Sequence, residues 1–319
     1  MSSRFPTHSR VFTLLFSSLF AAWLPGKIWA AAGDSRTILN HVQDDVSDVT
    51  DFFDTILPST LMRRNVSLDF MPKFSDFRAE EFIRLPLEVR YDVTDNDQLQ
   101  IGMTPFIPNP FNNGYNHRFG PGEGDIGWRH DMDNGFWFLD QAIVGFEARV
   151  PIGKPPIDLN EGFTHLQPYI TGSRRLRWPH TKYFMALSYD REVHTPGRNT
   201  PTDPRVVRQN ITEFDPGILY KPGVYGYFFQ YQFRHYGEVD GYHLSHGEKL
   251  GVIWDVPVER SKAWKMPGRW QIELAARVVE EEGHPISYGL VTQVRVRTTL
   301  HEVLSSDLAQ KLKTVSLGR

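Results

Sequence analysis

The sequence contains no cysteine. A chain without thiols can form no disulfide framework, no thiolate metal site and no cysteine nucleophile. It also lacks an excess of positive charge, because 35 Lys and Arg residues stand against 38 Asp and Glu residues, a formal net charge of −3. Composition therefore gives no reason to expect a nucleic-acid partner. Beyond the N-terminal region, no segment approaches the ~20 consecutive apolar residues of a membrane-spanning helix, so a spanning helix is excluded from that part of the chain, and only the N-terminal region could be an anchor.

The N-terminal region, residues 1–32, has the pattern of a secretory signal peptide. A basic start that includes Arg4 and Arg10 precedes an apolar stretch from Val11 to Leu24. The small residues Ala30 to Ala32 then match the usual cleavage site. The pattern predicts an exported bacterial protein and removes residues 1–32 from the folded part of the chain.

Two short helices are predicted on either side of the main part of the chain. Residues 33–60 have apolar side chains at spacings of three and four, with aspartates on the opposite face, and are predicted to form an amphipathic helix. The aspartates do not have the spacing of an oxygen-rich cation loop, so we interpret them as a solvated face. Residues 301–319 are predicted to form a helical tail, with Val303, Leu304, Leu308 and Leu312 on one side.

Between residues 61 and 300 the apolar pattern has a period of two, which is typical of β-strands. The clearest example is Glu81 to Thr94, followed by a tight turn and a returning segment from Gln98 to Ile107. Roughly twelve such segments of about 10–15 residues are present, whereas strands of soluble proteins average ~5–6 residues and tilted membrane strands need ~9–11. The fold class is therefore predicted as all-β, an antiparallel transmembrane β-barrel of about twelve strands.

The polar face of these segments is the predicted inner surface of the barrel. In a membrane barrel the apolar face contacts lipid, and the opposite face lines an aqueous lumen. Closure into a barrel also pairs the strand edges, which lipid cannot satisfy. The residues predicted to line the lumen are Arg84, Glu88, Arg90, Gln230, Gln232, Arg234, Glu273, Arg277, Arg295 and Arg297. They either line an open pore or pair with one another and plug a narrow lumen, and the sequence leaves both possibilities open.

Loop lengths and tryptophan positions agree with this arrangement. Long connections at residues 109–123, 151–162 and 194–212 alternate with short ones near residues 131–135, 178–180 and 221–223. Such alternation is typical of membrane barrels, which have long outer loops and short periplasmic turns. The segment from Pro257 to Gly268 is long where a short turn is expected, which leaves the number of strands open by two. Most tryptophans lie near predicted strand ends, as in interfacial girdles.

Residues 120–153 carry a resemblance to a known family. They begin with Gly122-Glu123-Gly124-Asp125 and end with Pro151-Ile152-Gly153, and Leu166 to Tyr169 also fits loosely. This stretch resembles the outer-membrane barrel family named for the meta-pathway of phenol degradation, except that Ile152 replaces a threonine. The resemblance implies a channel-like barrel and brings no catalytic residues. On physical grounds Gly122 to Gly124 is interpreted as a flexible strand entry, with Asp125 capping the turn.

Three classes of function remain open on the sequence. The first is an outer-membrane channel or transporter for small, possibly hydrophobic, molecules, whose partners are membrane lipid and the solute and which uses no cofactor or metal. The second is an outer-membrane lipid hydrolase with Ser245 as nucleophile, His243 as base and Asp255 as orienting acid. The odd-numbered positions of this strand face the predicted lumen rather than the lipid, which disfavours the hydrolase. The third is a soluble periplasmic β-sandwich that binds a ligand.

The histidines near residue 240 are the candidate metal ligands. His243 and His246 lie on opposite faces of one predicted strand, and His235 lies on the preceding strand. Side chains on opposite faces cannot bind the same ion, so no metal site is predicted.

Overall fold

The computed structural model describes residues 66–71, 73–74, 82–108, 119–132, 138–152, 163–194, 208–238, 241–263, 268–281 and 286–299. The predicted signal peptide, the predicted N-terminal helix at residues 33–60 and the predicted tail at residues 301–319 lie outside these residues. The boundaries proposed for those segments therefore stay predictions.

The described residues form fourteen strand segments and one short helix. In chain order they are β1 (Val66–Phe70), β2 (Lys73–Phe74), β3 (Phe82–Arg84), β4 (Leu87–Asp92), β5 (Asp97–Pro108), β6 (Gly120–Met132), β7 (Gln141–Pro151), β8 (Phe163–Arg175), β9 (Thr181–His194), β10 (Arg208–Tyr220), β11 (Tyr225–Glu238), β12 (Gly241–Asp255), α1 (Val258–Ala263), β13 (Arg269–Glu281) and β14 (Ser287–Thr299).

Two pairs of these segments are interrupted halves of single strands. β1 and β2 both pair with β14, and β3 and β4 both pair with β5, in each case without a change of register. The interruption between β3 and β4 falls at Leu85 and Pro86, where proline has no amide hydrogen to give to the ladder. Leu85 still donates its backbone N–H to Pro105 at 2.9 Å. Fourteen segments therefore make twelve strands, as the sequence predicted.

The sheet closes on itself through β1 and β14. These strands pair in antiparallel register, with Ser67 opposite Thr299 and Phe70 opposite Val296. β2 continues this pairing with β14, and every remaining pairing is antiparallel between consecutive strands of the twelve. Closure leaves no free sheet edge among the described strands, which is the condition for crossing lipid with strands.

The long connection between β12 and β13 contains the helix α1, so it does not add or remove strands. Arg260 on α1 stacks its guanidinium over the ring of Trp254, 5.8 Å from the ring centroid. Among the described residues, no helix is long and apolar enough to cross a bilayer. The connection from Pro257 to Gly268, which is longer than the loop-length pattern predicts, therefore contains a short helix at Val258–Ala263. The predicted count of twelve strands is confirmed.

The two faces of the wall differ in the way predicted for a membrane barrel. Outward aliphatic residues are exposed, with Ile101 60% and Leu274 55% accessible. Inward charged residues are buried, with Arg90 at 0%. A soluble protein shows the opposite distribution, because exposing large apolar side chains to water is unfavourable. The outer wall is therefore suited to lipid, and the polar side chains are enclosed.

One local prediction was wrong. The stretch from Gly122 to Asp125 lies inside β6, which begins at Gly120, so it is not a turn that leads into a strand. Asp125 does not cap a turn. It lies opposite Gly102 of β5, where a Cβ atom on Gly102 would lie 2.4 Å from a carboxylate oxygen of Asp125. Glycine at residue 102 leaves the space that this carboxylate occupies.

Candidate functional site in the barrel lumen

The structure places the ten predicted lumen residues on the inner side of the wall. Seven of them are buried: Glu88, Arg90, Gln230, Gln232, Arg234, Glu273 and Arg295. The remaining three, Arg84, Arg277 and Arg297, are partly buried. They do not form one site, because they belong to separate clusters on different strands.

The first cluster surrounds Asp69 at the closure of the barrel. The carboxylate of Asp69 is fully buried and contacts three guanidinium groups: Arg90 Nε at 3.3 Å, Arg295 Nη2 at 3.3 Å and Arg297 Nε at 3.2 Å. Arg90 also contacts Glu88 at 2.8 Å through its Nη2 atom. This cluster links β1, β4 and β14, so it ties the first strand to the last. Sequence analysis identified the arginines but not Asp69, although Asp69 alternates with Leu68 and Phe70.

The second cluster is centred on Arg149 and was not predicted. Arg149 on β7 reaches across β8 to Asp190 on β9, with 2.6 Å between Nη2 and Oδ2. It also lies 3.9 Å from Glu123 and 3.7 Å from Glu147. His165 Nδ1 is 3.2 Å from the same Asp190 carboxylate. The outward alternation of Val144, Phe146, Ala148 and Val150 along β7 was the signal that could have revealed Arg149 as an inward residue.

The third cluster lies on β10 and β11. Arg234 Nε donates to Glu213 Oε1 at 3.0 Å, and Gln230 Nε2 donates to Asp215 Oδ2 at 3.1 Å. Gln232 Nε2 lies 3.3 Å from both Glu213 Oε1 and Asp215 Oδ2. The predicted residues Gln230, Gln232 and Arg234 are therefore brought together, and their carboxylate partners were not predicted.

A buried ion pair joins the next two strands. Lys249 Nζ on β12 lies 2.6 Å from Glu273 Oε1 on β13. Lys249 also lies 5.7 Å above the ring of Phe228 on β11. Glu273, a predicted lumen residue, thus has a lysine partner at one of the odd-numbered positions of β12, which were predicted to face the lumen.

The inward charges are unevenly distributed around the barrel. On one wall, from β6 to β10, carboxylates outnumber the buried or half-buried cations Arg129, Arg149 and Lys182. The carboxylates are Glu123, Asp125, Glu147, Asp190, Glu192, Glu213 and Asp215. On the other wall, from β11 through β14 to β4, cations are in the majority; they are Arg234, Lys249, Arg277, Arg295, Arg297, Arg84 and Arg90. Opposed walls of unlike charge produce an electric field across a lumen, which is one basis of pore selectivity.

An apolar strip follows the inner wall beside these charges. Six buried residues on six consecutive strands, from β9 to β14, form one contact cluster: Phe184, Leu219, Phe228, Ile253, Ala275 and Val291. A smaller cluster of Ile143, Tyr169 and Ala186 adjoins it on β7 to β9. The lumen therefore combines an apolar strip with charged clusters, which sequence periodicity did not reveal because these residues occupy inward positions expected to be polar.

The residues of the alternative hydrolase site do not come together. Ser245 and Asp255 lie ten positions apart on β12, which is ~33 Å along an extended strand. Asp255 instead contacts Lys221 and accepts a hydrogen bond from Gln271 at 2.9 Å. Ser245 is 2% exposed, on the enclosed face. His243 lies opposite Tyr236 in the ladder, and its side chain is outside the described part of the structure. Asp255 therefore cannot orient a base next to Ser245.

The histidine geometry agrees with the face assignment made from the sequence. His246 lies among outward aromatic residues, and its Nδ1 atom is 2.7 Å from the hydroxyl of Tyr231. Within the described residues, no group of three or more histidine, aspartate or glutamate side chains is arranged to hold a metal ion.

Comparisons with known proteins support the fold. No protein-family model and no curated protein sequence match this chain. Among solved structures, the chain is similar to an outer-membrane channel from Pseudomonas putida F1, with 8% identity, a TM-score of 0.52, and coverage of 80% of this chain and 100% of that one. The NanC porin aligns with a TM-score of 0.42 and 9% identity over 72% of this chain and 98% of that one. The CymD monoaromatic hydrocarbon channel aligns with a TM-score of 0.41 and 7% identity over 78% and 93%.

The similarity to the Pseudomonas putida channel agrees with the fold described above. The chain has the fold of an outer-membrane β-barrel, a closed antiparallel sheet of twelve strands. Together with the outward band of exposed aliphatic side chains, the fold supports a location in the bacterial outer membrane.

Proposed function

We propose that the protein is an outer-membrane channel that lets small, partly hydrophobic molecules cross the barrel. The observation that carries this proposal is the composition of the lumen. The six apolar residues that form the strip on β9 to β14 adjoin ion-paired clusters. A wall of this kind offers contact to the apolar part of a solute and hydrogen bonds to its polar part.

The lumen side chains are closely packed in this structure, since the inward charged residues of the central clusters are buried. Passage therefore requires side chains to move aside, and the apolar strip is the place where a narrow pore would lose its water. This predicts small, intermittent conductance rather than that of a wide, water-filled pore.

Membership in the meta-pathway family of outer-membrane barrels is part of this proposal. It rests on the motifs at Gly122 to Asp125 and Pro151 to Gly153. The family resemblance agrees with a channel and does not specify the solute.

Planar-bilayer recording on the refolded protein tests the proposal. We expect discrete conductance steps, and faster uptake of small aromatic solutes by vesicles that contain the protein than by empty vesicles. A matched preparation of heat-unfolded protein controls for leakage caused by detergent. Absence of both conductance and solute uptake, with the protein shown to be folded by its β-sheet circular dichroism, would overturn the channel function.

A further inference from the structure

Asp215 is a buried carboxylate whose charge is not neutralised by an ion pair. The residue is 3% exposed, and its carboxylate accepts hydrogen bonds from the amides of Gln230 and Gln232, at 3.1 and 3.3 Å. Its other oxygen, Oδ1, has no hydrogen-bond partner. An isolated carboxylate in such a place is costly unless a cation or a proton compensates it.

The neighbouring Glu213 does not supply that compensation. Glu213 lies two residues earlier on the same face of β10, and its carboxyl group is within hydrogen-bonding distance of Asp215. Arg234 forms its ion pair with Glu213 Oε1 at 3.0 Å, and Glu213 Oε2 has no partner. Two carboxylates therefore share one guanidinium, which leaves one negative charge.

Three other inward carboxylates at comparable depth are paired with cations. Asp69 contacts three arginines, Asp190 contacts Arg149 and His165, and Glu273 contacts Lys249. The contrast singles out the pair on β10 among the described clusters.

Gln232 gives an independent indication of a missing ligand. The residue is 2% exposed, its amide lies 3.3 Å from each carboxylate, and its Oε1 atom has no partner. The nitrogen and oxygen of a glutamine amide are interchangeable by rotation, and their assignment follows from the neighbouring groups. If a cation lay between the carboxylates, rotation of the amide would direct Oε1 at that cation, and Oε1 would then have a partner.

The backbone next to the pair is also irregular. Pro216 follows Asp215 and has no amide hydrogen, and the β10–β11 pairing has no partners at either residue. The β10–β11 ladder is therefore interrupted at these two residues, whereas the β9–β10 ladder continues through them.

We propose that Glu213, Asp215 and Gln232 form a binding site for one hard metal cation. Carboxylate and amide oxygens are the ligands of hard cations such as Na⁺, K⁺, Ca²⁺ and Mg²⁺. Because one negative charge remains after Arg234 is counted, a monovalent cation makes the site neutral, and Na⁺ or K⁺ is the ligand that the charge balance favours. Ion binding can be measured on the folded protein without assuming that a solute passes through the lumen.

Thermal unfolding of the full chain in detergent micelles, followed by tryptophan fluorescence, tests the site. NaCl, KCl, CaCl₂ or MgCl₂ replaces choline chloride at constant ionic strength and pH, and equilibrium dialysis measures the bound ion. We expect the unfolding temperature to rise by a few degrees in Na⁺ or K⁺ relative to choline, with about one ion bound per chain. Asp215→Asn should abolish both the shift and the bound ion.

Glu147→Gln is the matched control, because it removes one inward carboxylate from another cluster and should keep the ion effect. If Asp215→Asn does not fold, Gln232→Leu replaces it, and we expect a weaker ion effect from that variant. A larger rise of the unfolding temperature in Ca²⁺ or Mg²⁺ than in Na⁺ or K⁺ would overturn the assignment of a monovalent ion, but it would still support a cation site at these residues. Stabilisation by acid alone, with no ion effect in the wild-type protein, would show that a proton compensates the charge and would overturn the proposal.

Discussion

The ring of Phe184 on β9 occupies the space beside Gly217 on β10. A Cβ atom at residue 217 would lie 2.1 Å from Cζ of Phe184. The same relationship recurs between Phe228 on β11 and Gly251 on β12, at 2.6 Å. Large apolar side chains of the inner strip therefore lie along the wall, over a glycine of the neighbouring strand.

Replacement of Gly217 by valine is expected to destabilise the barrel. The new methyl groups would overlap the ring of Phe184, which is itself fully buried, so the ring cannot move aside without displacing its neighbours. Overpacking of this kind costs about 1–3 kcal/mol. Urea unfolding in micelles measures the change. Gly223→Ala is the control, because a Cβ atom there meets nothing within 4 Å, and equal effects of the two variants would contradict the packing argument.

Asp69→Asn is expected to weaken the closure between β1 and β14. The substitution keeps the shape of the side chain and removes the charge that compensates Arg90, Arg295 and Arg297. Loss of one partner from a buried ionic cluster costs about 3–5 kcal/mol. The denaturant midpoint and the migration of the folded form on gels report the effect. Asp95→Asn, in an exposed turn, serves as the control and should leave both unchanged.

Phe228→Ala is expected to enlarge the pore. Phe228 lies in the apolar strip and is fully buried, so its truncation removes a ring from the inner wall. We expect a larger single-channel conductance than that of the wild-type protein. Tyr227→Ala, the neighbouring residue on the outer face of β11, is the matched control. Unchanged conductance in Phe228→Ala would place the constriction elsewhere.

Ser245→Ala is expected to have no effect on lipid hydrolysis. Ser245 is enclosed by the barrel and lies far along β12 from Asp255, so it has neither access to acyl chains nor an orienting acid there. Release of fatty acids from mixed phospholipid vesicles measures the activity of both proteins. Hydrolysis by the wild-type protein that disappears in Ser245→Ala would restore the hydrolase as the function.

Strand periodicity was sufficient to predict the wall of the barrel. Leu87, Val89 and Tyr91 alternate with Glu88 and Arg90 in the sequence, and the structure exposes the first set and buries the second. This prediction succeeds because successive residues of a strand point to opposite faces, whatever the rest of the chain does. The same reasoning does not identify partners, because a cluster such as Arg149 with Asp190 depends on which strands become neighbours.

The sequence by itself determined the period-two alternation, and hence a long-stranded barrel with an apolar exterior. Only the tertiary structure decided which charges neutralise each other, since the three arginines around Asp69 come from strands at the two ends of the barrel sequence. It also decided that phenylalanines lie over glycines and that Asp215 lacks an ion pair. Alternation is a local property of the backbone, whereas neutralisation and packing depend on the register between strands, which is established only when the sheet closes.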